Sequence, residues 1–207
     1  MKLDRAEILR YMKMGRAEPD AALSARIDRL EREVLAAARP ASQPLRTAVR
    51  LARGAGQPLG DAAFGCVASL GCSGEDAPRY EIGPLTLESR DLWRCLRGAR
   101  EAYLFAATLG HGVDLLIRKY AALSAADLLI VQAIAATAIE QYIDDETASW
   151  GEKLLPRYSP GYGDLPLSVQ PDFLAALDAQ KTLGITLTET FLMIPSKSVT
   201  AIIGIQP

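Results

Sequence analysis

Residues 157–166 combine side chains that can recognise a small polar molecule with a backbone that lets it come close. The stretch reads Arg-Tyr-Ser-Pro-Gly-Tyr-Gly-Asp-Leu-Pro, and its glycines and prolines exclude a regular helix or a central strand. Arg157 can hold a carboxylate through two parallel hydrogen bonds, the glycine backbone can bind further acceptors, and the ring of Tyr162 can stack. Because a rigid structural turn tolerates the same composition, a binding loop and a structural turn both stay open here.

The residues needed for self-contained catalysis are missing from the sequence. His111 is the only histidine, and we interpret it as a helix-start residue rather than a base. No phosphate-binding glycine motif is present, no zinc ligand set can be assembled, and a Ser-His-Asp triad would have to use His111. We therefore assign no catalytic residue and no metal site, and we expect neither a self-contained hydrolase nor a self-contained dehydrogenase.

Composition indicates an ordinary soluble globular protein. Of 207 residues, 49% are apolar and 23% charged, and the net charge of −2 gives no reason to expect nucleic-acid or membrane partners. The most apolar run, residues 125–139, is too short and too polar for us to expect it to span a bilayer. No apolar core follows Met1–Arg5, so we expect no signal peptide. Three cysteines without metal-like spacing (Cys66, Cys72, Cys95) favour a reducing, cytoplasmic location.

The N-terminal residues predict a helical arm followed by a larger body. Asp4 and Glu7 resemble a capping box, and a second helix follows Asp20 with an apolar face that ends near Pro40. Residues 39–62 are rich in Pro, Gly and Ala, which is typical of a boundary between two parts of a chain. We therefore predict an arm at 1–40 and a main α+β body at 41–207.

Within the body, strands and helices alternate irregularly. Ser89 is predicted to cap a helix, Ser124 to open the longest helix, at 125–150, and Ser168 to cap another. The second half of the longest helix is acidic and includes Glu140, which we interpret as a solvated face. Strands are predicted at 47–52, 64–70, 80–87, 102–109, 185–191 and 199–205.

Two C-terminal motifs carry a resemblance to a known family. They are the stretch that begins at Arg157 and the stretch Leu-Gly-Ile-Thr-Leu-Thr-Glu-Thr-Phe-Leu-Met-Ile-Pro-Ser-Lys-Ser-Val-Thr at residues 183–200. In this order and spacing they resemble the activation domain of cobalamin-dependent methionine synthase, and more closely its stand-alone bacterial form. The resemblance covers 157–204 most strongly and extends more weakly back to about residue 80.

The resemblance implies a single curved α+β domain with long central helices and an antiparallel sheet. It also implies an activation subunit that binds S-adenosylmethionine and supports reductive methylation of cob(II)alamin on a partner methionine synthase. Flavodoxin is the usual electron donor in the family. Such a subunit assists a methyltransferase and does not complete a catalytic cycle alone.

The family's ligand-binding motif, Arg-x-x-x-Gly-Tyr, carries over onto Arg157, Gly161 and Tyr162. Ser159 matches a small residue that contributes its backbone, and Glu140 is the match for a carboxylate on the preceding helix. Arg157 would then pair with the carboxylate of S-adenosylmethionine, and loop backbone groups would face its purine edge.

Two departures from the family keep alternatives open. Residues 201–204, Ala-Ile-Ile-Gly, replace a stretch in which the fused enzyme has a ligand-contacting tyrosine. The chain also lacks the cobalamin motif Asp-x-His-x-x-Gly, so cobalamin must come from another polypeptide. The alternatives are a docking or regulatory module for another small ligand, and a reactivator of a different corrinoid protein.

Overall fold

The computed structural model describes residues 1–14, 18–53, 57–58 and 78–206, and it shows a mixed α+β fold. The helices are α1 Arg5–Tyr11, α2 Ala21–Ala37, α3 Arg90–Leu96, α4 His111–Leu123, α5 Ala125–Ala148, α6 Gln170–Ala176 and α7 Ala179–Leu183. The strands are β1 Ala41–Arg53, β2 Gln57–Pro58, β3 Arg79–Ile82, β4 Leu85–Glu88, β5 Glu101–Thr108, β6 Thr186–Leu187, β7 Met193–Ile194 and β8 Ser198–Gly204.

The main sheet is antiparallel and runs in the order β4-β3-β1-β5-β8, with the short β2 also paired to β1. Strand β3 pairs antiparallel with both β1 and β4, and Tyr80 lies opposite Leu51 on one side and Leu87 on the other. The continuous apolar run of β5 is buried almost throughout, as expected for a strand that is covered on both faces. β6 and β7 form a separate two-stranded sheet.

Two compact units can be distinguished along the chain. The first comprises residues 1–42, 107–150 and 183–199, and the second comprises residues 43–106, 151–182 and 200–207. The helices α1, α2, α4 and α5 belong to the first unit, and the stretch that begins at Arg157 belongs to the second. The boundary at residue 40 between an arm and a body stays a prediction.

In the first unit, α5 packs against α1, α2 and α4. The sequence sets the start of α1, α2 and α5, since Asp4, Asp20 and Ser124 each cap a helix by accepting a hydrogen bond from a first-turn backbone amide. The apolar face of α2 is fully buried at Ile27 and Leu30, as its spacing predicts.

α5 is the longest helix among the described residues, at 24 residues. By length and composition it could cross a membrane, and 56% of its most apolar window is buried within this chain. The length of the apolar run at 125–139 therefore does not exclude a membrane span, because the helix extends beyond that run to Ala148. Its packing against α1, α2 and α4 makes α5 the central helix of the first unit.

Several predicted elements are confirmed, and three need correction. Residues 80–87 do not form one strand but the β3–β4 hairpin, because Gly83 takes a left-handed φ of 57° ahead of Pro84. The predicted strand 185–191 is reduced to the two residues of β6. Ser168 does not cap a helix: it lies inside a 3₁₀ turn, Leu167–Val169, that leads directly into α6. The predicted strand 64–70 lies outside the described residues.

Candidate functional site

The candidate site begins where the chain runs beside β8. The main chain of Tyr158 exchanges two hydrogen bonds with Ile202, its amide donating over 3.0 Å and its carbonyl accepting over 2.7 Å. Upstream, Leu154 forms an antiparallel bridge with Ile205, and the amide of Leu155 donates to the carbonyl of Gly204 over 2.8 Å. The segment 153–158 therefore continues the ladder along β8 and fixes the point where the loop starts.

The loop then closes on itself through backbone hydrogen bonds. The amide of Gly161 donates to the carbonyl of Leu165 over 2.8 Å, and the amide of Leu165 donates to the carbonyl of Tyr162 over 3.0 Å. Gly161 and Gly163 have φ values of 90° and 51°, which a side chain would disfavour. Pro160 and Leu165 are buried and Gly161 to Asp164 are exposed, so the loop is anchored by an apolar side chain on each side and offers its tip to solvent.

The hydroxyl of Tyr158 crosses the loop and donates to the carbonyl of Tyr162 over 2.9 Å. Burial raises the pKa of Tyr158, and the nearby carboxylates of Asp91 and Asp164 raise it further, while a hydrogen bond with Ser89 acts in the opposite direction. Because the phenol stays protonated, it remains a donor to the loop at neutral pH.

Asp164 joins the loop to the start of α3. Its carboxylate accepts hydrogen bonds from the hydroxyl of Ser89, from the amide of Arg90 over 2.6 Å and from the amide of Asp91 over 3.3 Å. Burial raises the pKa of Asp164, but these three donors together outweigh it and lower the pKa below its usual value. The charged carboxylate is thus the form that holds the loop against α3.

Four of the five predicted site residues lie together on this loop. Arg157 and Ser159 are half-buried, Gly161 is exposed, and the ring of Tyr162 is 66% exposed. An exposed aromatic ring beside a glycine offers a flat apolar face together with accessible backbone. Which of these groups contacts a ligand stays a prediction.

Glu140, the fifth predicted residue, lies on α5 in the first unit and is half-buried. It lines a cavity of about 210 Å³ between α1 and α5, together with Asp4, Arg10, Tyr11 and other polar side chains. The assignment of Glu140 as a ligand contact stays a prediction. The acidic half of α5, interpreted from the sequence as a solvated face, is only partly exposed.

Residues 201–204, which differ from the resembled family at the position of a ligand-contacting tyrosine, are part of the core of the second unit. Ala201, Ile202 and Ile203 are each at most 1% exposed. At Gly204 there is no room for a side chain, since an added Cβ would lie 2.8 Å from Leu155 and 3.2 Å from Ala99. These residues build the strand that carries the loop, and none of the three aliphatic side chains is available to a ligand at the surface.

Sequence analysis missed Tyr158 and Asp164 as residues that shape the site. Their position could have indicated this role, because one lies on each side of Gly161 and Tyr162 and a binding loop must be held at both ends. Within the described residues, His, Cys, Asp and Glu side chains form no group of three or more that could hold a metal ion. That the loop binds a small molecule stays a prediction.

Comparison with known proteins gives a structural match without a sequence match. No protein-family model and no curated protein matches this chain by sequence. A solved structure, the crystal structure of the MetH reactivation domain bound to AdoHcy, matches 99% of this chain and 70% of its own length, with a TM-score of 0.58 and 16% identity. The α+β fold predicted from the sequence, with long helices and an antiparallel sheet, is thereby confirmed.

Proposed function

We propose that this chain is an activation subunit that binds S-adenosylmethionine and supports reductive methylation of cob(II)alamin on a partner cobalamin-dependent methionine synthase. The observation that carries this proposal is the fold shared with a reactivation domain that binds AdoHcy. AdoHcy is what S-adenosylmethionine becomes when its methyl group has been transferred. The loop with the Arg-x-x-x-Gly-Tyr motif adds support, because it is exposed at its tip and internally fixed.

The residues of the loop fit the chemical groups of S-adenosylmethionine. Arg157 would pair with the carboxylate, the backbone at Ser159 and Gly161 would face the purine edge, and the exposed ring of Tyr162 would cover an apolar face of the ligand. Glu140 would attract the amino group or the sulfonium. When bound, S-adenosylmethionine supplies an electrophilic methyl group, and the role of this chain is to hold it in a fixed orientation.

Cobalamin and the electron come from other proteins in this proposal. Forming methylcobalamin from cob(II)alamin consumes one electron and one methyl group and leaves S-adenosylhomocysteine. The chain has no cobalamin-binding motif and its only histidine is His111, so the partner holds the corrin and flavodoxin or a similar donor supplies the electron. Orientation alone can lower a barrier by about 7–11 kcal/mol in well-aligned cases. We place this chemistry in the cytoplasm.

The experiment that tests this function follows the cob(II)alamin absorbance band over time. The full chain is added, with S-adenosylmethionine and a low-potential reductant, to the cob(II)alamin protein that co-purifies with it. We expect methylcobalamin to form faster with the chain than without it. Tyr162→Ala should weaken this acceleration, whereas Leu192→Ala, which also removes an exposed apolar side chain, should not. Identical decay with and without the chain would overturn the activator function.

One observation favours a second candidate, a docking or regulatory module that takes another small ligand. The buried Ile202 and Ile203 occupy the stretch where the family's fused enzyme has a ligand-contacting tyrosine. With one contact missing, S-adenosylmethionine affinity should be weak, between about tens of micromolar and millimolar, or about −6 to −4 kcal/mol. A chain that binds nothing in this range would be a docking module.

A further inference from the structure

Three groups hold the tip of the loop in one conformation, and none of them was expected to contact a ligand. They are Tyr158, Asp164 and Ser89, the residue that caps the N-terminus of α3, and we call them the clasp. Ser89 is fully buried, and its hydroxyl oxygen accepts from the amide of Leu92 over 2.9 Å. Its hydroxyl in turn donates to the carboxylate of Asp164. Asp164 is thus held by a buried side chain that is itself bonded to the backbone of α3.

Tyr158 is fixed from the other side. Its backbone amide and carbonyl are both hydrogen-bonded to Ile202 of β8, so the point from which its ring projects is fixed. From there its hydroxyl reaches the carbonyl of Tyr162. The residue whose ring is exposed is therefore held by its own backbone, and its side chain stays free for contact.

Gly163 shows that the clasp closes without spare space. A Cβ at this position would lie 2.6 Å from the hydroxyl of Tyr158 and would also collide with the carboxylate of Asp91. Its φ of 51° adds a second reason for glycine. Tyr158 of the clasp and Asp91 of α3 therefore both lie against Gly163, directly after Tyr162.

We propose that Tyr158 and Asp164 are positioning residues that orient the Gly161–Gly163 tip for S-adenosylmethionine. This inference rests on the proposed function, since it concerns the same ligand. A loop that is ordered before binding loses less conformational freedom when the ligand arrives, so its affinity is higher than that of a mobile loop. Loss of the clasp therefore weakens binding while the fold persists.

The test uses Tyr158→Phe, which removes one hydroxyl and leaves the ring in place. Tyr103→Phe is the matched control, because Tyr103 is also half-buried and its hydroxyl donates to one carboxylate, that of Glu152, over 2.8 Å. Amide hydrogen exchange of residues 159–165, the melting temperature and S-adenosylmethionine affinity by calorimetry are measured for both variants. Asp164→Asn is a second variant, although it also perturbs the start of α3.

For Tyr158→Phe we expect loop exchange about tenfold faster than in wild type and a Kd about three- to tenfold higher. The melting temperature should match that of Tyr103→Phe, whose loop exchange and affinity should equal those of wild type. Unchanged loop exchange would overturn the clasp, and faster exchange with unchanged affinity would overturn its positioning role. If wild type itself does not bind S-adenosylmethionine, the proposed function fails, and the exchange data still decide whether the clasp exists.

Discussion

At the residue scale, Gly163 is the position that tolerates a side chain least in the candidate site. An added Cβ would lie 2.6 Å from the hydroxyl of Tyr158 and would collide with the carboxylate of Asp91, so one of these side chains would have to move. The backbone at Gly163 is also left-handed. Two independent physical costs therefore fall on one substitution, and they can be separated by a control.

We predict that Gly163→Ala lowers the free energy of unfolding by about 2–3 kcal/mol, since it combines backbone strain with a steric collision. Gly98→Ala is the matched control: Gly98 has a φ of 80°, but nothing lies within 4 Å of the added Cβ. Gly98→Ala should lower the free energy of unfolding only by the cost of the backbone strain, about 1 kcal/mol. Urea denaturation of both variants measures the difference, and equal losses would show that the clasp does not close at Gly163.

Residues that are contiguous in sequence could be recognised as a site, and residues that meet only through the fold could not. Arg157, Gly161 and Tyr162 stand within one loop, so their types and spacing were visible in the sequence. The contact between Asp164 and Ser89 joins residues 75 positions apart, and no local pattern predicts such a pair. Glu140 depends on the arrangement of a different part of the chain, and its role stays a prediction.

At the element scale, the start of α5 joins three helices of the first unit. Asp127 is 8% exposed, its carboxylate accepts from the guanidinium of Arg26, and Arg29 lies 3.5 Å away. The hydrogen bond from Arg26 is the main cause that lowers the pKa of Asp127, against the opposing effect of burial. The carboxylate therefore links the first turn of α5 to α2, while Ser124 caps the same turn.

We predict that Asp127→Asn lowers the free energy of unfolding at pH 7 by about 1–2 kcal/mol, because bonds to charged groups are lost and the arginines are partly exposed. A lowered pKa adds stability above the unfolded value of about 4, and this is lost as pH falls through the folded pKa. The variant should therefore lose less stability than wild type between about pH 5 and 2.

Chemical denaturation across this pH range measures the effect of Asp127→Asn. Asp178→Asn is the control, since Asp178 is exposed and its nearest cation, Lys181, lies 3.8 Å away. It should leave both the stability and its pH dependence within about 0.5 kcal/mol of wild type. A wild-type acid profile in Asp127→Asn would show that this carboxylate does not link the helices.

Helices were predicted more accurately than strands, and the reason lies in local chemistry. Asp4, Ser89 and Ser124 cap helices as expected, because a cap is decided by residues within one turn. The turn at Gly83-Pro84 divided a predicted strand, although both residue types signal a turn. Ser168 has the chemistry of a cap, but the chain enters α6 through a 3₁₀ turn instead.

At the scale of the whole molecule, the fold is shared with the MetH reactivation domain at 16% identity. Two motifs in the C-terminal quarter were sufficient to predict that fold, because they carry the resemblance to a family whose fold is known. The division into units could not be predicted in this way, since each unit is assembled from three separate stretches of chain. The stand-alone form, the corrinoid partner and the electron donor remain proposals.

The central claim, that the loop binds S-adenosylmethionine through Arg157, is tested most directly by calorimetric titration of the purified full chain. We predict saturable binding with a Kd between about ten micromolar and a few millimolar. Arg157→Ala should raise the Kd about ten- to 150-fold while the chain stays folded, since a lost charge-assisted bond costs about 1.5–3 kcal/mol. Arg50→Ala, on a strand separated from β8 by β5, should bind like wild type. Absence of heat up to several millimolar, or equal binding by Arg157→Ala, would contradict the account.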